Sequence, residues 1–303
     1  MTDDANRTRT LRESRTTLAE WLTVLAALVY FYVLWDALVF LGGVDLTEFF
    51  WSAASRDLPR YLHLVLFVQI VLIFGYVALK ILRIPAFRDR GAILLAALIA
   101  LALTQTNLAE RLTGAQTGNL FFAVRLGAGF AFLGALIFLA LALFDEDPPP
   151  GASRSAGLTP TLWAWAALIA LYLQIIEGEI LLNEVLSYPR AVIGFIHGLF
   201  GSVGFVCLIA LWVQALKLPL PFRTRLLIRA AGLIYAAQYG LGLVVGVNAA
   251  QPASVLTHVA TAGLLFALEA AILHDLRYGV REDPRVIAER FKRYLATAHE
   301  PTI

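Results

Sequence analysis

The sequence predicts an all-α integral membrane protein of eight transmembrane helices, arranged as two pseudo-repeated four-helix bundles. Three observations predict it. Of 303 residues, 59% are hydrophobic and only 15% are charged, with a mean hydropathy of +0.74, whereas about a quarter of a soluble globular chain is charged. Eight apolar runs approach the roughly 20 residues that cross a hydrocarbon core, and they are continuous rather than alternating, which excludes a β-barrel and leaves helices. Finally, the runs share a hairpin pattern of polar residues that repeats along the chain.

The first run, 18–42, follows a segment (1–17) that carries Arg7, Arg9, Arg12 and Arg15. It is longer than the apolar core of a signal peptide and no small-residue cleavage pattern follows it, so it is expected to stay as a helix. Runs 61–82, 91–109 and 119–144 complete a first half, 18–144. Residues 145–160, Asp145 to Pro160, are rich in Pro and Gly and too poor in apolar side chains to pack, and so read as a linker. Runs 161–186, 191–216, 226–247 and 253–274 form the second half, 161–274. The remainder, 275–303, is a charged tail with a short amphipathic pattern through Val286, Phe291 and Tyr294.

Charge gives the orientation. With the N-terminus inside, 19 of the 24 Lys and Arg fall on inner segments and four on outer loops, with Arg125 inside a span, which places both termini in the cytoplasm. A composition of 21 Arg to 3 Lys suits a high-GC prokaryote, hence a prokaryotic inner membrane. A net charge of +2 makes no case for nucleic acid, and the lipid bilayer is the expected partner. Cys207, the single cysteine, excludes an intramolecular disulfide, a CxxC redox pair and a Cys-based zinc site.

Three hairpins share one spacing. Gln238 and Gly242 on the seventh run precede His258 by 20 residues from the Gln, and Gln174 and Gly178 on the fifth precede His197 by 23. Gln105 on the third precedes Arg125 by 20, and the first hairpin puts His63 at the same depth. Three histidines and an arginine thus stand near the outer end of the even-numbered helices. A buried imidazole between helices of a bundle is a preferred axial ligand of haem, and two facing imidazoles give a six-coordinate, low-spin iron. The plainer alternative is a histidine satisfied by an interhelical hydrogen bond. Small residues favour the haem reading at His197 and His258: Gly194, Gly201 and Gly204 share the face of the first, Thr261 and Ala262 that of the second. His63 is instead followed on its face by Leu66, Phe67 and Ile70, which fill space. Arg125 stays protonated and cannot ligate iron. It is expected to bind a propionate or to pair with Asp36, Glu48 or Glu110. Glu269 lies about three turns beyond His258 on nearly the same face, either on a proton route or as a protonated hydrogen-bonding group.

The segment from Gln238 through Gly242, Pro252 and His258 to Phe266 resembles the seventh and eighth helices of the haem A synthase (CtaA-like) family, and Arg111-Leu-Thr-Gly114 resembles that family's loop motif. The resemblance implies haem b held by His197 and His258, and a second haem, haem O or its product haem A, in the first half with His63 as a ligand. It implies oxidation of a haem O methyl group to formyl, with a haem O synthase and respiratory oxidase subunits as partners. The sequence departs from the family in the first half, where Arg125 replaces the second ligand and Arg60 stands in place of a glutamate. A second reading therefore stands beside the enzyme: a non-catalytic haem b electron-transfer subunit or assembly factor of a respiratory complex. No catalytic residue follows from the sequence. A transporter is disfavoured because no span carries the mid-helix Gly/Pro break of a substrate site.

Overall fold

In hydrocarbon every backbone N–H and C=O must find its partner within the segment, so each apolar run has one solution, a helix. A computed structural model describes residues 2–41, 58–84, 91–104, 120–144, 158–182, 190–218, 220–247 and 252–278. They form α1 (Thr2–Leu41), α2 (Leu58–Arg83), α3 (Gly91–Leu103), α4 (Leu120–Phe144), α5 (Leu158–Leu182), α6 (Arg190–Lys217), α7 (Phe222–Val247) and α8 (Pro252–Tyr278). Among the described residues, seven helices are long and apolar enough to cross a membrane, and α3, at 13 residues, is shorter. The described residues form helices alone, and their spans make this a multi-pass membrane protein.

The boundaries follow local chemistry. The α1 helix runs on through the Arg-bearing segment, while its membrane-compatible part is Glu13–Trp35. Pro160 falls in the first turn of α5 and Pro252 opens α8, positions where the missing N–H has no intrahelical acceptor to lose. Outward-facing positions such as Leu72, Phe195 and Leu233 are exposed and apolar, as lipid requires, while Leu22, Leu25, Ile81, Leu136 and Leu139 fill the interior.

The helices of the second half close a ring: α5 packs on α6, α6 on α7, α7 on α8 and α8 on α5. The α6 and α8 helices therefore face each other diagonally across its interior. In the first half α1 packs on α2 and α4, and α3 on α4; the halves meet where α4 touches α5 and α8, and α1 touches α8. At that junction aromatic rings sit over glycines in a reciprocal pair. A Cβ at Gly263 of α8 would lie 2.8 Å from Phe130 of α4, and one at Gly134 of α4 would lie 2.9 Å from Phe266 of α8. The two rings, with centroids 5.9 Å apart, lock together because neither glycine presents a side chain. Tyr30 of α1 also lies over Gly263, and its hydroxyl donates to the Ala260 carbonyl at 2.8 Å.

At the end where α7 begins and α8 finishes, Arg223 and Thr224 clasp Asp275. The Arg223 Nε donates to Oδ2 at 3.0 Å, a second guanidinium nitrogen reaches Oδ1, and the Thr224 hydroxyl donates to Oδ2 at 3.1 Å. The Asp275 side chain is 3% exposed and that of Arg223 is 49%. This asymmetry predicts unequal costs. Arg223→Ala strands a buried carboxylate and should destabilise by about 2 kcal/mol, less than for a fully buried pair because the arginine is partly screened by solvent. Asp275→Asn leaves a half-exposed guanidinium and should cost about 1 kcal/mol. Thermal unfolding midpoints of the two variants in detergent check the order.

Candidate functional site

His197 on α6 and His258 on α8 point into the ring of the second half from its diagonal helices. Their ring centroids are 6.2 Å apart and the ring planes are inclined at 54°. Each imidazole rests against a glycine of the helix preceding its own. A Cβ at Gly178 of α5 would lie 3.0 Å from His197 Cε1, and a Cβ at Gly242 of α7 would lie 3.2 Å from His258 Cε1. In both hairpins a glutamine sits four residues before that glycine, one turn along the same face. Gln238 Nε2 approaches His258 Nε2 at 3.3 Å, so the ring nitrogen accepts and the amide donates. Gln174 takes the other available role, with its Oε1 accepting from the Tyr235 hydroxyl at 3.3 Å.

The small residues on the His197 face divide between two jobs. A Cβ at Gly201 would lie 2.6 Å from Gln174 Nε2, and Gly204 makes the equivalent room for the Tyr235 hydroxyl. These two glycines accommodate side chains of α5 and α7. Gly194, by contrast, has no atom within 4 Å of its Cβ position. On α8, the Thr261 hydroxyl donates to the Thr257 carbonyl at 2.7 Å. Thr261 lines a cleft of about 400 Å³ between α1 and α8, with Phe31, Leu34, Trp35, Leu256, Thr257 and Ala260.

Oε1 of Gln238 is buried without a hydrogen-bond partner, while Nδ1 of each imidazole turns towards the helix before its own, beside the Gln174 backbone for His197 and the Gln238 backbone for His258. Buried polar atoms are nearly always paired, and each exception stands at a destabilisation of about 1–3 kcal/mol. With Nδ1 turned to the preceding helix, Nε2 is the nitrogen each ring keeps for a bound group, and at His258 such a group would take the place of the Gln238 amide. The spacing suits such a group. With metal–imidazole bonds of about 2.0 Å and about 1.1 Å from ring nitrogen to centroid, two imidazoles on opposite sides of one metal would have centroids about 6.2 Å apart. The observed 6.2 Å is the separation such a pair of ligands would have.

Of the other residues expected at a site, Arg125 lies on α4 and is buried, 6% exposed. His63 belongs to α2, with its side chain outside the described residues, as are the side chains of Asp36, Glu48 and Glu110. Sequence reasoning missed Tyr235, which is fully buried at 0% exposure and ties α7 to Gln174 of α5. It also missed the role of Gly178 and Gly242. The repeated Gln-x-x-x-Gly spacing was the available signal, since it marks one helix face in both hairpins.

That role is testable. Gly178→Ala should push the His197 ring by several tenths of an ångström, and Gly242→Ala should displace His258 less, because the clearance there is larger. Reconstituted with haem, the first variant should bind about tenfold more weakly, as for a displaced second shell, and the second only slightly more weakly than the parent chain. Haem titration followed by absorbance gives both. Compared with family models and with curated proteins, the chain matches none.

Proposed function

We propose that this chain is a prokaryotic inner-membrane haem protein that holds haem b between His197 and His258 and transfers electrons. The observation that carries the reading is the separation of 6.2 Å between two imidazoles presented by diagonal helices of one closed ring. His197 and His258 would hold the iron; Gly178 and Gly242 let their rings lie against neighbouring helices; Gln238 supplies an amide beside the His258 ring. When bound, the iron supplies one-electron redox chemistry.

Two further parts of the reading have their own support. The repeated four-helix arrangement is favoured by the packing pattern. Advancing every helix number by four turns the α1–α2, α3–α4 and α1–α4 contacts into α5–α6, α7–α8 and α5–α8, and turns the α1–α8 contact into α4–α5. Both termini lie in the cytoplasm on this reading, because 19 basic residues stand on one side against four on the other.

A chain expressed with added haem and purified in detergent should show the sharp reduced α-band of a low-spin b-type centre. A colourless protein overturns the reading. The second reading is oxidation of a haem O methyl group in the first half, favoured by the Gln238–Phe266 resemblance to haem A synthases and by the burial of Arg125, which suits a propionate partner. Co-expression with a haem O source followed by pigment extraction separates the two. Haem A above background favours the synthase, and haem b alone rejects it.

A further inference from the structure

Beyond the histidine layer, Cys207 of α6, Tyr235 of α7 and Glu269 of α8 are buried near one another. Tyr235 joins this layer to the site above it through its bond to Gln174. Glu269 stands 11 residues past His258, on nearly the same face and about 16.5 Å further along α8. It is 2% exposed, and neither of its carboxyl oxygens has a hydrogen-bond partner. An ionised carboxylate so placed is strongly disfavoured, and the group answers by taking up a proton.

Among the described residues, the neighbours supply no fixed counter-charge. Facing Glu269 are Tyr235 from α7 and Cys207 from α6. The parts of α4 and α5 at this depth, 130–144 and 158–171, contain no titratable residue. On α8 itself, His274 lies between the Phe138 and Tyr278 rings, and Asp275 is already engaged by Arg223. From α1, Tyr30 is committed to the Ala260 carbonyl.

We infer that Glu269 is a proton-binding site whose occupancy responds to the charge at the His197–His258 pair. The coupling rests on the haem reading given above. An electron delivered by a one-electron reductant to a metal centre between those histidines adds one negative charge to the bundle. At a pH within the Glu269 titration, where a fraction of the chains carries the carboxylate, a proton from water then forms the O–H bond of the acid and offsets part of that charge, leaving hydroxide to the buffer; no bond of the chain breaks. At 16.5 Å and an effective dielectric constant of about 20, one unit of charge changes the proton affinity of Glu269 about fivefold. For a one-electron couple, at 59 mV per tenfold, that is about 40 mV in midpoint potential.

Two measurements on the full chain test this separately from the haem assignment. In haem-free protein at about pH 7, the infrared carbonyl band of a protonated carboxylic acid should be present and should disappear in Glu269→Gln. Its absence overturns the proton site, whether or not haem binds. In haem-loaded protein reduced with dithionite in steps, the midpoint potential should rise by about 40 mV as the pH falls through the Glu269 titration. The rise should be missing in Glu269→Gln. A parent chain that keeps the infrared band but has a potential indifferent to pH overturns the coupling. A parent chain that keeps the band yet binds no haem overturns the haem reading and the coupling built on it, leaving the protonated acid standing. Should the Gln variant fail to fold, Glu269→Leu, which removes the buried polar group altogether, provides the same comparison.

Discussion

Replacing His197 or His258 by alanine should abolish the low-spin haem spectrum and weaken haem retention at least a hundredfold, beyond the 10–100-fold expected for loss of a second-shell partner. The two substitutions should not add. With either imidazole gone, the remaining one leaves iron with an open axial position, so each single variant already loses the six-coordinate centre. His63→Ala should keep the parent spectrum, because α2 belongs to the other half, where it packs on α1. Reduced-minus-oxidised spectra of the purified variants, read beside haem content per chain, check the result. A His63 variant that loses the band together with the other two would place the centre elsewhere and sink the assignment.

The second large effect concerns the junction between the halves. Gly263→Leu should destabilise by about 3 kcal/mol or more, because even its Cβ would stand 2.8 Å from both Phe130 and Tyr30. These two rings come from different helices, so neither can move without opening α4 or α1 against α8. The Tyr30 bond to the Ala260 carbonyl is strained by the same displacement. Gly240→Leu and Gly246→Leu are the controls: no atom lies within 4 Å of either Cβ position, and a leucine there would meet lipid. Detergent-solubilised Gly263→Leu should unfold at a markedly lower temperature, while the controls stay near the parent.

The sequence disclosed the parts of this molecule that depend on one helix at a time. Spans are legible because a bilayer imposes their length and polarity, and the equal depth of His197 and His258 is legible because both sit near the start of helices that run in the same direction. The face shared by Gln174 and Gly178, and by Gln238 and Gly242, follows from a spacing of four. What that face meets does not. Gly201 and Gly204 look alike from the sequence as clearings beside His197, yet the space is taken by Gln174 and Tyr235, which reach it from two other helices. Similarly, the Phe130–Gly263 and Phe266–Gly134 pairs join residues more than 130 positions apart, and nothing in helical periodicity reports how two helices interdigitate. The α1 helix exceeded expectation at its start because Thr2 to Arg15 continues a hydrogen-bonded spiral beyond the stretch that hydropathy can detect.

One arrangement carries a consequence for the chain as a cellular object. His197 belongs to the α5–α6 hairpin and His258 to the α7–α8 hairpin, so neither hairpin alone offers both ligands. A haem bound to the pair would tie the two hairpins together, and mass action then adds to the stability of the second half an amount that grows with the ratio of free haem to its dissociation constant, about 2.7 kcal/mol at a hundredfold excess. The lifetime of the protein in the membrane would follow haem supply, with scarcity leaving a looser bundle open to proteolysis.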